Sequence, residues 1–221
     1  MKKKAIVLFS GGVDSTVALS MALKADRECF ALSFDYGQRH RVELEHAKRI
    51  TDYYTVSHRI IIIDPASFDR SSLVSSVAVP KDRNAQQIAE GGIPNTYVPA
   101  RNTLFLAYAM GQAEILEADE IHAGFNAMDA NPYPDCRPAF LGAFQALLAV
   151  ATKQGIEGKA PQLMTPLIRW DKTEIIKQGI ALKAPLHLTF SCYDPALNGE
   201  PCQHCDACIL RVEGFAKSSK P

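Results

Sequence analysis

Short apolar runs recur along the chain between stretches of mixed character. The run HRIIIID, at His58–Asp64, is rich in β-branched residues, too short for a helix and flanked by residues that break regular structure, so it is predicted to be a strand. The same pattern of short apolar runs predicts four further strands, at Lys4–Phe9, Glu28–Phe34, Glu120–Asn126 and Leu163–Ile168.

Segments with apolar residues at helical spacing separate these strands. The predicted helices are Val13–Leu23, His40–Tyr54, Thr103–Glu117, Pro138–Lys153 and Asp171–Gln178. Asn102 is a candidate N-cap of the third helix, and Asp171 and Glu174 stand at capping-box spacing in the last. Because strands alternate with helices, the expected fold is α/β, with a doubly wound parallel sheet that binds ligands beyond the carboxyl ends of its strands.

Pro65–Thr96 interrupts this alternation, because it is long, polar and weakly patterned. A loop of this length in a compact domain is usually functional or hides an element of secondary structure. We expect a partly ordered lid that contains one short helix near Asn84–Ala89.

Length, composition and charge narrow the class of protein. The 221 residues suit one α/β domain, or one domain with a small module, and 47% hydrophobic residues are enough for a core. The formal net charge of +0 gives no global electrostatic reason to expect a nucleic-acid partner.

The N-terminus, MKKKAIVLFSGG, imitates a signal peptide, but its apolar run covers only Ala5 to Phe9. A signal peptide needs an apolar run of about 7–15 residues. No segment approaches the roughly 20 apolar residues that span a bilayer. The expectation is therefore a cytoplasmic protein with no membrane partner.

The stretch SGGVDST follows the first predicted strand and opens the first predicted helix. Gly11 and Gly12 let the backbone approach a ligand, while Ser10, Ser15 and Thr16 offer hydroxyls beside the helix N-terminus. This combination predicts an anion cradle, although it lacks the lysine of a Walker loop. Its carboxylate, that of Asp14, is explained best by a Mg²⁺ ion between it and a phosphate.

Four of the six cysteines fall in the last thirty residues. In a chain without an export signal this clustering indicates a metal site rather than disulfides. The predicted ligands are Cys192, Cys202, Cys205 and Cys208. Four thiolates suit one tetrahedral, structural Zn²⁺, although an iron–sulfur cluster fits the same spacing. We expect 1–187 to form the α/β domain and 188–221 to form a zinc module packed on it.

The SGGVDS loop resembles the pyrophosphate loop of the ATP pyrophosphatase superfamily, whose fold is Rossmann-like and of the adenine nucleotide alpha hydrolase type. The resemblance implies that ATP is cleaved between its α- and β-phosphates while the loop holds the leaving pyrophosphate. The nucleotide-binding residues that it implies are Leu8, Phe9, Ser10, Gly11, Gly12, Val13, Asp14, Ser15, Thr16, Val17, Ala18 and, at the end of the second strand, Ser33.

A narrower resemblance extends from about Ala5 to Arg211. The combination of LFSGGVDST, FDYGQRH, YVPARNTLFL, PYPDCRP, LIRWDKTEI and the SCY…CxxCxxC tail is similar to the 7-cyano-7-deazaguanine synthases of queuosine precursor biosynthesis. It implies an ATP-dependent ligase that converts 7-carboxy-7-deazaguanine and ammonium into a nitrile, and a homodimer. Two positions depart from the family pattern: Gln203 replaces a glycine, and Ala130-Asn131-Pro132 replaces a Tyr-Ser-Gly-like stretch.

Since the loop lacks a lysine, cationic help must come from elsewhere. Arg101, Arg137, Arg169 and Lys172 are the candidates, and each could equally be a solvated surface charge. We assign catalytic roles to Asp14, Ser15, Lys172 and Arg101, and substrate contacts to Tyr133, Asp135 and Arg137. Asp135 has a second interpretation, as the cap of the helix that begins at Pro138.

Two other functions remain open at this point. A tRNA-thiolating enzyme of the same superfamily would need a reactive cysteine near the loop, and Cys136 beside Arg137 is a candidate. The neutral net charge and the lack of an appended RNA-binding domain weigh against this alternative. The third function is a nucleotide-binding regulator that uses the cysteine tail to contact a partner.

Overall fold

The computed structural model describes residues 2–68, 71–130 and 133–218. These residues contain one sheet of five parallel strands in the order β3-β2-β1-β4-β5. The strands are β1 (Lys4–Leu8), β2 (Glu28–Asp35), β3 (Ser57–Ile62), β4 (Glu120–His122) and β5 (Gln162–Met164). The doubly wound parallel sheet predicted from the sequence is thus confirmed.

Helices connect the strands and cover both faces of the sheet. Within the described residues they are α1 (Val13–Lys24), α2 (Val42–Tyr54), α3 (Ala85–Glu90), α4 (Arg101–Leu116), α5 (Ala127–Ala130), α6 (Pro138–Val150), α7 (Lys153–Ile156), α8 (Lys172–Ala181) and α9 (Asp206–Ser218). None of these helices is long and apolar enough to cross a membrane.

The central strand β1 explains why both faces must be covered. Ala5 and Val7 pack with residues of α1 and α2 on one face, and Ile6 packs with residues of α4 and α6 on the other. Because successive side chains of a strand point to opposite faces, an almost continuous apolar run such as AIVLF buries both.

The order of the strands reverses direction at β1, which has β2 on one side and β4 on the other. Such a switch point leaves a crevice at the carboxyl ends of the two diverging strands. The segments that follow β1 and β4 therefore meet there, and they carry SGGVDST and Gly124–Asn126.

Two predicted strands extend four residues past the observed ends. The chain leaves the sheet after His122 rather than after Asn126, because Gly124 lies against the first turn of α1. A Cβ at Gly124 would lie 3.0 Å from Ser15 N. The last strand likewise ends at Met164 rather than at Ile168.

The prediction of Asn102 as an N-cap was wrong. Helix α4 begins at Arg101, two residues before the predicted start at Thr103, after Ala100 in a left-handed conformation with φ of 55°. Asn102 is buried within the first turn, and its Nδ2 donates to Asp135 O at 3.4 Å. By contrast, Asp171 caps α8 as predicted, since its side chain accepts from Glu174 N.

The long segment 65–96 contains the expected short helix, α3, which a capping box of Asn84 and Gln87 starts. The segment is attached to the C-terminal region, because Arg83 forms an ion pair with Asp206 and Lys81 forms a β-bridge with Cys205. Helix α9, where Asp206 lies, was missed by the sequence analysis. A lid function for the segment stays a prediction, and Asn131-Pro132 of the second family departure lie outside the described residues.

Gly11 provides a test of the packing at the switch point. It has φ of +80°, and a Cβ there would lie 2.6 Å from Ala47 N and 2.7 Å from Glu43 O, both in the backbone of α2. We expect Gly11→Ala to lower the free energy of unfolding by about 3 kcal/mol, from left-handed strain and overpacking together. Urea unfolding followed by circular dichroism measures the change.

Gly111→Ala is the matched control, because Gly111 is exposed inside α4 and its added Cβ would have no neighbour within 4 Å. This change should raise the stability by about 0.5–1 kcal/mol. Equal effects of the two substitutions would contradict the packing argument.

Candidate functional site

The loop between β1 and α1 is held open by its own polar groups. Gly12 O accepts from Thr16 Oγ1 at 2.8 Å and from Ser15 Oγ at 3.2 Å, and Gly12 N donates to Ser10 Oγ at 3.2 Å. Gly12 caps α1 without a side-chain hydrogen bond. The first amides of α1 are therefore left for a ligand, which is the arrangement that binds phosphate groups.

Lys172, the first residue of α8, places its ammonium group on Asp14. Its Nζ lies 2.7 Å from both Asp14 Oδ1 and Asp14 Oδ2, and the two side chains are 18% and 23% exposed. The cation that the loop lacks is thus supplied from a helix 158 residues further along the chain. This juxtaposition agrees with the choice of Lys172 among the four candidate cations.

A second carboxylate, that of Asp129, lies beside Asp14. Asn126 Nδ2 donates to Asp14 Oδ2 at 3.1 Å and to Asp129 Oδ2 at 2.7 Å, so one amide bridges the two. Burial raises the pKa of Asp129 to about 6, and the charge of Asp14 acts in the same direction. Paired oxygen ligands of this kind are those that Mg²⁺ prefers.

The loop opens into a cavity of about 280 Å³. The segments after β1, β2 and β4, the start of α4 and the start of the cysteine-rich tail form its walls. Of the residues predicted to bind the nucleotide, Leu8, Phe9, Ser10, Gly12, Val13, Asp14 and Ser15 line the cavity.

The other predicted nucleotide-binding residues lie behind the cavity wall. The Thr16 hydroxyl donates its hydrogen bond to Gly12 O. Val17 and Ala18 pack in the core with Leu167. The Ser33 hydroxyl donates to Phe9 O and lies 2.7 Å from His58 Nε2. Ser33 therefore supports the loop from below and does not line the cavity, contrary to its predicted role.

Arg101 lies in the cavity wall as a largely buried cation. Its Nη1 donates to Tyr36 Oη at 3.2 Å, and its guanidinium carbon lies 5.9 Å and 5.8 Å from the ring centroids of Tyr36 and Phe105. Its Nε is buried and has no hydrogen-bond partner among the residues that the structure describes. Arg169, in contrast, is exposed and does not line the cavity.

The three predicted substrate residues separate in the structure. Tyr133 lines the cavity, with its Oη 2.8 Å from Thr96 Oγ1. Asp135 is buried, and its Oδ2 accepts from Asn102 N at 3.0 Å, so it stabilises the start of α4 and neither faces the cavity nor caps the helix at Pro138. Arg137 is exposed at the start of α6, outside the cavity wall.

The four predicted metal ligands come together in the tail. The Sγ atoms of Cys192, Cys202, Cys205 and Cys208 all lie within 4.8 Å of one another. Backbone amides point at the sulfurs, as where Cys202 N donates to Cys192 Sγ at 3.2 Å. Such spacing suits a tetrahedral metal with bonds of about 2.3 Å to sulfur.

Gln203, which stands where the family pattern has glycine, has φ of 65°. Glycine reaches this left-handed conformation without strain, whereas other residues pay for it. The turn between the second and third cysteine accordingly keeps the geometry that a glycine would allow.

Sequence analysis missed several polar residues of the cavity wall, namely His40, Glu43, Asn126 and Asp129, and it also missed Gln38, which is buried beside Glu43. Gln38 and His40 belong to FDYGQRH, a motif already noted, whereas Asn126 follows β4 and Asp129 lies in α5. Asn126 is the last residue of the predicted strand Glu120–Asn126, so a search for polar residues at the carboxyl ends of the predicted strands could have found it. Glu43 lies inside α2, where only the tertiary structure separates it from exposed neighbours such as Glu45.

Solved structures with the same fold support the architecture. An NMN synthetase from Francisella tularensis matches with a TM-score of 0.51 and 17% identity, over 100% of this chain and 79% of that chain. A 4-thiouridine synthetase, solved in complex with RNA and bound ATP, matches with a TM-score of 0.53 and 19% identity, over 97% of this chain and 53% of that chain.

Curated relatives match over nearly their full length. A 7-cyano-7-deazaguanine synthase from Saccharophagus degradans is 49% identical over 96% of this chain and 93% of its own length. Enzymes of the same name from Desulfatibacillum aliphaticivorans and Geobacter sp. strain M21 are 48% and 47% identical, each over 95% of its own length. A family model described as queuosine biosynthesis protein QueC matches residues 4–219, and the chain belongs to this family.

Proposed function

We propose that the protein is an ATP-dependent ligase that converts 7-carboxy-7-deazaguanine and ammonia into 7-cyano-7-deazaguanine, with release of AMP and pyrophosphate. The observation that carries the proposal is the SGGVDST loop, open to a cavity beside the Asp14–Lys172 pair, in a chain of this family. The relatives named 7-cyano-7-deazaguanine synthase support the choice of substrate.

The reaction proceeds in two adenylations. A carboxylate oxygen attacks the α-phosphorus of ATP and pyrophosphate leaves; ammonia then displaces AMP and a proton is released, which gives the amide. The amide oxygen attacks a second ATP and pyrophosphate leaves; the nitrogen then gives up both of its protons as AMP departs, which leaves the nitrile. Both steps need positioned phosphates and charge stabilisation rather than a protein nucleophile.

The chain's own groups have distinct tasks in these steps. The amides of the first turn of α1 and the hydroxyls of Ser10 and Ser15 hold the leaving pyrophosphate. Asp14 and Lys172 are placed to orient the phosphates and to balance their charge. Mg²⁺ would be held by Asp14 and Asp129, where it would neutralise phosphate oxygens.

The proposal also covers the metal of the cysteine-rich tail, the nitrogen source, the oligomeric state and the cellular location. The four cysteines hold one structural Zn²⁺, in a module at 188–221 that packs on the α/β domain at 1–187. Free ammonium is the nitrogen source, the working form is a homodimer, and the enzyme acts in the cytoplasm without a nucleic-acid or membrane partner.

A tRNA-thiolating activity is the weaker alternative. It would need a reactive thiolate, but burial raises the pKa of the Cys136 thiol well above its usual range. The Sγ atom also accepts from Asn102 Nδ2 at 3.2 Å. A buried thiol of this kind behaves as a structural residue.

Product analysis tests the proposal directly. The protein is incubated with ATP, Mg²⁺, ammonium and 7-carboxy-7-deazaguanine, and the products are identified by mass spectrometry. We expect the nitrile with two AMP and two pyrophosphate per turnover. AMP formation with tRNA and a sulfur donor, but not with this acid, would instead support the thiolating alternative.

Asp14→Asn tests the loop. The substitution removes the charge that pairs with Lys172, and we expect at least a 100-fold loss of turnover with retained folding, since phosphate positioning is lost. Asp52→Asn is the control, because Asp52 is exposed on α2 and pairs only with Lys48 within the described residues. Turnover at the wild-type rate in Asp14→Asn would remove the loop from the mechanism.

Metal analysis tests the tail. We expect close to one zinc per chain, and a large fall in the melting temperature on chelation, because structural zinc contributes on the order of 10–16 kcal/mol. Cys205→Ser should lose the metal, while Cys29→Ser, a buried cysteine of β2 outside the cluster, should keep it. A brown protein that contains iron would show a cluster instead of zinc.

A further inference from the structure

One region of the cavity is not used by the phosphate chemistry. It lies between the end of β2, the start of α2 and the start of α4, and Phe34, Tyr36 and Phe105 form what we call the aromatic wall. Phe34 and Phe105 are stacked with ring centroids 3.9 Å apart, and Tyr36 tilts against Phe105 at 5.6 Å. A rigid wall of this kind suits a flat ring system.

A single carboxylate faces the cavity beside this wall. Among the described residues, those that line the cavity with carboxylates are Asp14, Glu43 and Asp129. Asp14 has both oxygens on Lys172, and Asp129 is tied to the same site through Asn126. Glu43 is therefore the cavity carboxylate that has no assigned role in binding the phosphates of ATP.

Glu43 is held in place by Gln38, whose side chain is almost fully buried. Gln38 Nε2 donates to Glu43 Oε1 at 3.2 Å and to Phe34 O at 2.9 Å, while Gln38 Oε1 accepts from Tyr36 N at 2.8 Å. Oε2 of Glu43 has no hydrogen-bond partner within the described part of the chain. The carboxyl group is thus oriented, but only one of its two oxygens accepts a hydrogen bond from the described residues.

Two further polar groups of the region have no hydrogen-bond partner in the described part of the chain. His40 is 5% exposed, its Nε2 lies 3.5 Å from Glu43 Oε1, and its Nδ1 is buried without a partner. Arg101 Nε is also buried without a partner, in the guanidinium group whose Nη1 donates to Tyr36 Oη. Buried polar groups are normally paired, so unpaired ones at a cavity indicate an absent ligand.

The chemistry of these groups describes that ligand. Burial raises the pKa of Glu43 to about 8, and N–H donors from a ligand would stabilise its ionised form. The arginine favours an acceptor such as a carbonyl or a carboxylate, and the aromatic wall favours a planar ring. Ammonium alone would use the acid but neither the arginine nor the wall.

We propose that Glu43 is the specificity-determining residue that accepts hydrogen bonds from the ring N–H and the exocyclic amino group of the deazaguanine. In this assignment Gln38 and His40 are positioning residues that act through Glu43, and the ring lies along the aromatic wall. The assignment rests on the proposed function, since it takes 7-carboxy-7-deazaguanine as the substrate.

The consequence is strong discrimination against an acid without the amino group. A site built to hydrogen-bond a polar group rejects an analogue lacking it by up to about 10⁴-fold, because its own buried groups are then left unpaired. The carboxamide of glutamine replaces one of the two carboxylate oxygens with an NH₂ group, so it no longer offers a separate acceptor oxygen to each donor.

The experiment compares two acids in three proteins. AMP formation is measured with 7-carboxy-7-deazaguanine and with its analogue lacking the 2-amino group, for the wild type, Glu43→Gln and Glu45→Gln. Glu45 is exposed on α2 two residues away and supplies the same chemical change outside the cavity.

We expect the wild type and Glu45→Gln to prefer the acid that carries the 2-amino group by about 100-fold or more in kcat/KM. In Glu43→Gln the preference should fall below about tenfold, through a higher KM for the acid while the KM for ATP is unchanged. An unchanged preference in Glu43→Gln, or a wild type that uses both acids equally, would overturn the assignment. The second of these results needs no variant and so does not depend on the folding of Glu43→Gln.

The same assay separates this inference from the proposed function. A wild type that forms AMP with 7-carboxy-7-deazaguanine upholds the proposed function whatever Glu43 does. A wild type that forms AMP with neither acid overturns the proposed function and the role of Glu43 with it.

Discussion

The close approach of Gly11 to the backbone of α2 is the constraint on which the rest of the site depends. With no side chain at this position, Ala47 N and Glu43 O lie where a Cβ would otherwise sit. The contact locks the loop after β1 against the helix after β2. It thereby places the first turn of α1 and the Glu43 carboxyl group on the walls of one cavity.

Electrostatic balance at the loop is achieved over a long distance in sequence. The Asp14 carboxylate pairs with Lys172. Lys172 lies in the first turn of α8, and this position holds it beside α1. Gly179, also in α8, allows this packing, because a Cβ there would lie 2.9 Å from Val17 Cγ2. The loop can thus lack the lysine of a Walker loop and still have a cation within reach of its ligand.

The cysteine-rich tail is linked to the same centre. Phe190 N donates to Gly11 O at 3.1 Å just before the first cysteine. Helix α9 also packs on α8, where a Cβ at Gly214 would lie 2.8 Å from Lys172 Cγ. The cysteine cluster therefore anchors an element that touches both the loop and its lysine, which gives a structural metal an indirect effect on the site.

The sequence alone determined the features that arise from local chemistry. Alternating apolar runs and helical segments predicted the parallel sheet, SGGVDST predicted the loop between β1 and α1, and the cysteine spacing predicted the cluster of four thiols, because each depends on residues close together along the chain. Long-range packing decided the rest. Ser33 was predicted as a ligand residue, but its hydroxyl donates to Phe9 O behind the loop. Asp135 accepts from the backbone of Asn102. Glu43 rather than Glu45 lines the cavity, because it lies on the side of α2 that faces it. Which polar side chain is buried against which neighbour is a property of contacts between distant segments, so only the folded chain could assign these roles.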